Sequence, residues 1–212
     1  MTVAGSAVLL PYSTSCPMKK PALKELLAEV ERCGVCRSQL PHPPRPVIRA
    51  GVTARILIIG QAPGTRVHRT GIPWNDPSGD LLRQWMAVDR DVFYDESRIA
   101  LMPMGFCYPG KGASGDLPPR QECAPMWHQR LISHMPDIRL TLLVGRYAHQ
   151  YYLGPASGPT LRDTVREYQK FLPGFMPLVH PSPRNRNWLK NNPWFEIELV
   201  PVLRRLVGTA LE

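Results

Sequence analysis

The sequence predicts an α/β fold, built as a single domain with a central, mostly parallel four-stranded sheet flanked by helices. Two observations favour this class. Short apolar runs typical of buried strands alternate along the chain with longer segments of helical periodicity. The 212 residues also suffice for one sizeable hydrophobic core, and no internal repeat divides them.

Each predicted strand is a short apolar run whose neighbours are polar residues, glycine or proline. The four runs are "RILIIG" (55–60), "RIALMPM" (98–104), "RLTLLVG" (139–145) and "GFMPLVH" (174–180). Helical segments separate these runs, so we expect parallel strands with both faces of the sheet covered.

The predicted helices place apolar residues at spacings of three and four. The first, at 21–32, puts Leu23, Leu26, Leu27 and Val30 on one face. The others are expected at 78–88, 120–135, 146–153, 161–172 and 192–207. Residues 1–20 are expected to form an N-terminal arm ahead of a domain at 21–212.

The charge balance favours a polyanionic partner. Lys and Arg number 26 against 17 Asp and Glu, a net charge of +9. Such an excess most often indicates nucleic acid, although it also aids solubility. No apolar run reaches the roughly 18–20 residues that span a membrane, and "VAGSAVLLPY" lacks the basic leader of a signal peptide. We therefore expect a cytoplasmic, monomeric protein without a membrane partner.

The first strand runs directly into a turn, "GQAPG" at 60–64. A glycine- and proline-rich turn in this place presents backbone N–H groups to a ligand. It is neither a P-loop nor a dinucleotide-binding fingerprint, because the required Gly-Lys-Ser/Thr and G-x-G-x-x-G patterns are absent. Taken alone, the turn is most simply a strand-to-helix connection.

"GIPWND" (71–76) places Trp74 near the same edge of the sheet, as core filler or as a stacking platform for a base. The fourth strand ends in "HPSPRN" (180–185), where two prolines stop the strand. The polar residues of this turn are then displayed at the carboxyl end of the sheet, where open α/β sheets bind ligands. The alternative is a capped helix start, since serine and asparagine are good N-cap residues.

The cysteines form two spaced pairs, Cys33 with Cys36 and Cys107 with Cys123, with Cys16 left over. In a cytoplasmic chain this pattern favours a metal site over disulfides. Four thiolates suit an iron–sulfur cluster or a tetrahedral zinc ion. Free buried cysteines are the remaining interpretation.

Together, "GQAPG", "GIPW", "SGDLL" and "HPSPRN" resemble the motifs of the uracil-DNA glycosylase superfamily in content, order and spacing. The likeness is greatest to the bacterial and archaeal branch that carries an iron–sulfur cluster, whose first motif commonly reads G-E-A-P-G. It extends from residue ~20 to residue ~207 when judged by motif order.

The resemblance implies a base-excision repair enzyme that hydrolyses the N-glycosidic bond of uracil or another deaminated base in DNA. His180 would donate to the uracil oxygen as negative charge develops there. Gln61 and the turn backbone would face the base and the attacking water, and Trp74 would stack on the flipped base.

The resemblance also assigns the remaining candidate residues. The substrate-binding set is Gly60, Ala62, Pro63, Gly64, Trp74 and Asn75. The DNA-binding set is Ser182, Arg184 and Asn185. The four paired cysteines would hold a structural [4Fe–4S] cluster, with zinc as the less favoured alternative.

Three departures from the family pattern keep rival functions open. Gln61 stands where the branch has Glu, and Ala62 where the best-studied glycosylases carry a water-activating Asp. The stretch "LMPMGFC" (101–107) has no Asn to read the amide edge of uracil, for which Asn75 or Asp76 are candidate substitutes. One rival is a protein that binds or traps damaged DNA without turnover. The other is an iron–sulfur protein that acts on a substrate other than DNA.

Overall fold

A parallel sheet of four strands forms the centre of the computed structural model, which describes residues 22–113 and 115–212. The strands are β1 (Ile56–Ile59), β2 (Ile99–Leu101), β3 (Lys111–Gly112), β4 (Gly115–Asp116), β5 (Leu140–Val144) and β6 (Phe175–Leu178). The sheet has the order β2-β1-β5-β6, and β3 and β4 form a separate antiparallel hairpin. All pairings within the sheet are parallel, which confirms the predicted α/β class.

The strands are shorter than the apolar runs that predict them. β2 ends at Leu101, but Met102 N and Met104 N still donate to the Ile58 and Gly60 carbonyls, at 2.9 Å each. This pairing skips Pro103, which has no N–H to donate. β6 contains Pro177, which is tolerated because β6 lies at the edge of the sheet.

Helices cover both faces of the sheet. The α-helices are α1 (Leu23–Glu31), α2 (Thr65–Thr70), α3 (Pro77–Met86), α4 (Arg90–Tyr94), α5 (Cys123–Ile132), α6 (Arg146–Leu153), α7 (Leu161–Arg166), α8 (Arg186–Asn191) and α9 (Val200–Leu211). A π-helical turn over Phe195–Leu199 leads into α9. No helix within 22–113 or 115–212 has the length and apolar character needed to cross a bilayer.

Alternate residues of β1 point into two separate cores. Ile56 and Ile58 pack in one core with residues of α3 and α9. Leu57 and Ile59 pack in the other with residues of α1, α5 and α6. This alternation follows from the two-residue period of a strand, and it explains why β1 is apolar throughout.

Three short helices and the β3–β4 hairpin are absent from the sequence-based prediction. α2, α4 and α8 have five or six residues each, and α2 buries only Val67. So short a helix carries too little periodicity to be detected. The predicted helix at 161–172 is also divided, because α7 stops at Arg166 and a 3-10 turn follows over Tyr168–Phe171. The predicted arm at 1–20 lies outside the described residues.

The parallel arrangement brings the carboxyl ends of all four sheet strands to one edge. β1 leads into the "GQAPG" turn, β5 into Gly145, and β6 into Val179 and His180. Hydrogen bonds hold these ends together, since Gly105 N donates to the Gln61 carbonyl (3.0 Å) and Gly145 N to the Leu178 carbonyl (2.9 Å).

Candidate active site

A cavity of about 410 Å³ opens at this edge of the sheet. Its lining includes the predicted residues Gly60, Gln61, Ala62, Pro63, Gly64, Trp74, His180, Ser182, Arg184 and Asn185. The structure therefore brings together residues from two motifs more than a hundred positions apart. Of the predicted substrate-binding and DNA-binding residues, only Asn75 is not part of the wall; its Oδ1 accepts from Arg90 Nη2 at 3.3 Å instead.

The "GQAPG" turn packs closely against the indole of Trp74. A Cβ atom on Gly60 would lie 2.7 Å from Cζ2 of Trp74, so any larger residue here would displace the ring. Pro63 is buried, and Gly64 is the N-cap residue of α2. The turn thus faces the cavity and also connects a strand to a helix, so both interpretations of its sequence stay open.

Trp74 is held in an uncommon backbone conformation at the rim of the cavity. Its φ angle is +56°, in the left-handed region that few non-glycine residues adopt. Gly79 makes room for it, because a Cβ there would collide with the Trp74 carbonyl oxygen. Tyr94 Oη donates to the neighbouring Pro73 carbonyl at 2.9 Å. Such strain is typical of functional sites, where the surrounding structure enforces it.

His180 stacks on Trp74, with ring centroids 5.5 Å apart and planes at 27°. Burial lowers the pKa of His180 to about 4, against the smaller opposing effect of the Asp76 carboxylate. The imidazole is therefore neutral at neutral pH. A neutral ring carries one N–H donor and one acceptor, which suits it to donate to a developing anion.

Hydrogen bonds between side chains and the backbone hold the His180 turn in place. The side-chain amide of Asn185 donates to the His180 carbonyl at 2.7 Å. Ser182 Oγ accepts from Arg184 N at 3.3 Å and caps a 3-10 turn over Pro183–Asn185. The capping role considered from the sequence is thus correct for Ser182, although the same residue lines the cavity.

Gln61 and His180 meet at Gly145, where β5 ends. A Cβ on Gly145 would lie 2.7 Å from Gln61 Nε2 and 3.5 Å from His180 Cβ. Gly145 also has a φ of +91°, a conformation that favours glycine. The residue at this strand end thus permits the close approach of the two candidate catalytic side chains.

The β3–β4 hairpin forms a part of the cavity wall that the sequence analysis missed. Gly115 packs against Arg184, and a Cβ there would collide with the guanidinium group. Asp116 Oδ2 lies 3.3 Å from the position that a Cβ of Gly64 would take. Asp116 and Leu117 both line the cavity. Nothing local in "GDLPP" marks these residues, because the contacts come from distant segments.

Two carboxylates line the cavity within the described residues, those of Asp76 and Asp116. Asp76 Oδ1 accepts from Gly79 N at 2.9 Å as the N-cap of α3. Ala62 supplies no carboxylate at the turn itself. Any acid that helps to activate water in this cavity must therefore come from a neighbouring segment.

Pro103 is the part of "LMPMGFC" that reaches the cavity. Its carbonyl accepts from His128 Nε2 at 3.1 Å, and His128 Nδ1 lies 2.7 Å from Tyr152 Oη. This buried network fixes the position of Pro103, in the stretch where the iron–sulfur branch of the family has an asparagine. The wall here is apolar and offers no side-chain amide.

Cys33, Cys36, Cys107 and Cys123 line a single recess. Cys123 Sγ accepts from Phe106 N at 3.3 Å. Burial, followed by the nearness of other thiols, raises the pKa of Cys107 to about 11 and that of Cys123 to about 12. None of the four forms a disulfide. Across 22–113 and 115–212, no group of three or more Cys, His, Asp or Glu side chains is arranged to hold a metal ion.

Comparisons with known proteins support the resemblance found in the sequence. Residues 49–204 match the family model of the uracil DNA glycosylase superfamily. One similar solved structure is the solution NMR structure of a candidate uracil DNA glycosylase from Methanosarcina acetivorans. It is 22% identical to this chain, covers 74% of this chain and 93% of its own length, and has a TM-score of 0.45.

The family match spans most of the chain and includes both motifs that meet in the cavity, the "GQAPG" turn and the His180 turn. The family is one that implies DNA binding. The chain therefore belongs to the uracil DNA glycosylase superfamily.

Proposed function

We propose that this protein is a DNA glycosylase that hydrolyses the N-glycosidic bond of uracil or another deaminated base. One observation carries the proposal: the neutral imidazole of His180 faces the same cavity as the "GQAPG" turn and Trp74. A flipped base requires such a combination of an aromatic ring, a hydrogen-bond donor and a closely approaching backbone.

In this reaction the bond from C1′ of the sugar to the base nitrogen breaks, and its electron pair leaves with the base. Positive charge builds on the sugar and negative charge on the base oxygens. The neutral His180 donates a hydrogen bond to that developing charge in a largely desolvated setting, where such bonds have their greatest effect. Water then bonds to C1′, and the proton it loses balances the one that the base anion gains.

Gln61 would orient the base or the water rather than remove a proton. Its carboxamide both donates and accepts hydrogen bonds but has no basic group in the ordinary pH range. The nearness of Gln61 and His180 at Gly145 supports a role on the same ligand. We therefore expect slower chemistry than in relatives with a carboxylate at the turn.

The second candidate function is a protein that binds damaged DNA without turnover. Two observations favour it: Ala62 supplies no water-activating carboxylate, and Pro103 supplies no amide to read a uracil edge. The retained His180 and Trp74 favour the enzyme.

We further propose that Cys33, Cys36, Cys107 and Cys123 hold a structural [4Fe–4S] cluster. The support is that four thiols from three segments line one recess and that one sulfur already accepts a backbone N–H. A single zinc ion, which four thiolates also suit, is the less favoured alternative. The cluster would join the end of α1 to the start of α5 and take no part in bond breaking.

The test of the proposed function is incubation with single-stranded and duplex oligonucleotides that carry uracil, hypoxanthine or xanthine, followed by alkaline cleavage at abasic sites. Excision that disappears in a His180→Ala variant supports the enzyme. Tight, selective binding of one modified base without excision supports the binding protein. If the protein shows no excision and no selective binding, both candidates are wrong.

A further inference from the structure

A stack of three rings lies beside the cavity and takes no part in the chemistry proposed above. His42 stacks on His68 with centroids 5.3 Å apart and planes at 24°, and on Tyr108 at 6.1 Å and 18°. His68 and Tyr108 complete the triangle at 5.8 Å. Tyr108 is buried, His68 half-buried and His42 exposed, so the three rings extend from the interior to the surface.

The stack is rigidly supported. His42 lies in the proline-rich segment "PHPPRP" (41–46), whose fixed φ angles restrict the backbone. Thr65 Oγ1 and Tyr108 Oη are hydrogen bonded at 3.1 Å. Arg45 donates to the His68 and Arg69 carbonyls, at 2.7 and 2.9 Å, and so ties the segment to the end of α2. A ring held in this way loses little freedom when it binds a ligand.

The stack adjoins the cavity and is surrounded by positive charge. Val67, which precedes His68, lines the cavity, and so does Val47, at the end of the proline-rich segment. Arg66 and Arg69 of α2 are exposed, and within the described part of the chain neither has an ion-pair partner. An exposed ring among free cations combines the two features with which proteins bind unpaired nucleic-acid strands.

We propose that the exposed face of His42 stacks on an unpaired base of the DNA strand, next to the nucleotide that enters the cavity, while Arg66 and Arg69 contact its phosphates. The proposal rests on the proposed action on DNA and adds a second nucleotide subsite to it. It also predicts a preference for single-stranded DNA, because a base paired in a duplex has no free face for His42.

The test is the affinity of a fluorescein-labelled single-stranded oligonucleotide of natural bases, measured by anisotropy at several salt concentrations. His42→Ala should weaken binding about 5- to 150-fold, the usual range for the loss of one stacked base. His42→Phe keeps a ring without a nitrogen and should bind within about threefold of the wild type. His134→Ala, at a half-buried histidine that follows α5, is the matched control and should leave affinity unchanged.

The salt dependence separates stacking from phosphate contact. A stacked ring displaces no counterion, so His42→Ala should leave the slope of log affinity against log salt unchanged. Arg66→Ala or Arg69→Ala should each reduce that slope by about 0.7. A slope that also falls for His42→Ala, or a His42→Phe variant as weak as His42→Ala, would overturn the stacking role.

The outcome is separate from that of the proposed function, because the probe contains no modified base. If the wild type binds the strand and His42→Ala binds equally well, the subsite is wrong while excision is unaffected. If the subsite is found and no modified base is excised, the enzyme proposal fails and the subsite stands. Failure of the wild type to bind the strand at all would overturn the subsite.

Discussion

His180 lies in the cavity as a neutral imidazole because burial lowers its pKa to about 4. If its N–H stabilises the departing base, His180→Ala should lower the single-turnover excision rate by about 10²–10³. Binding to DNA that already contains an abasic site should stay nearly unchanged. His180→Asn, which keeps a donor, should recover part of the rate. A variant that only melts earlier, with an unchanged rate, would mean that His180 merely holds the turn.

The same pKa makes a pH prediction for the wild type. A ring that stays neutral down to about pH 4 contributes no step to the rate profile between pH 8 and about 5. Single-turnover rates should therefore not depend on His180 protonation over this range, because the neutral ring already carries the N–H that donates to the base. A clear inflection near the ordinary histidine pKa, absent from His180→Asn, would contradict the neutral state of His180.

Trp74 is the second single residue on which we expect recognition to depend. The ring lies at the cavity rim over Gly60 and against His180, so its loss should weaken binding of the modified base. Trp74→Ala should cost about 1–3 kcal/mol of binding free energy, and Trp74→Phe less, because a stacking face remains. Far-UV circular dichroism is the control for folding. If Trp74→Ala unfolds the protein, the ring is chiefly core.

At the scale of elements, the β3–β4 hairpin positions Arg184. Gly115 has a φ of +140°, and a Cβ there would collide with the guanidinium group. Gly115→Ala should displace Arg184 and weaken DNA binding as Arg184→Ala does, with the salt slope falling by about 0.7–0.9 in each. The double variant should be no weaker than either single variant, since both remove one contact. Gly112→Ala on the same hairpin faces Leu117 rather than Arg184 and is the matched control.

The cysteine recess joins elements that are distant in sequence, the end of α1 and the start of α5. Freshly prepared anaerobic protein should be brown, absorb broadly near ~400 nm and contain about four irons. Cys123→Ser should lose the colour and lower the unfolding temperature, whereas Cys16→Ser should keep both. Colourless protein with one zinc ion would favour the zinc alternative, and protein without metal would contradict both.

For the whole molecule, buried neutral histidines predict sensitivity to acid. Burial lowers the pKa of His149 to about 4, below the value of about 6.5 expected in the unfolded chain. The unfolded state therefore binds the proton first, and stability that is complete at pH 7 is lost as pH falls from about 6.5 towards 4. This histidine alone should account for about 2 kcal/mol or less of the unfolding free energy between pH 7 and pH 5.

The measurement is urea denaturation of the wild type and His149→Gln at both pH values. The Nε2 of His149 donates to the Leu143 carbonyl at 2.9 Å, a bond that glutamine can replace without titrating. The variant should lose less stability on acidification than the wild type. Equal losses would mean that His149 is not the source of the sensitivity.

The local pattern of the sequence was enough to predict the sheet and the convergence of two motifs. Runs such as "RILIIG" are apolar because both faces of a central parallel strand are covered, so their role is encoded locally. Because the strands are parallel, the residues after β1 and β6 lie at the same edge of the sheet, whatever their distance along the chain.

Other features of the site were decided only by the tertiary structure. The hairpin that brings Asp116 and Leu117 into the cavity has strands of two residues each, too short to show any periodicity. Three contacts depend on side chains that meet across loops. They are the hydrogen bond between Asn75 and Arg90, the Trp74–His180 stack and the ring stack at His42. Periodicity reports which residues are buried within one element, whereas these contacts are set by how separate segments pack, and that information is spread over the whole chain.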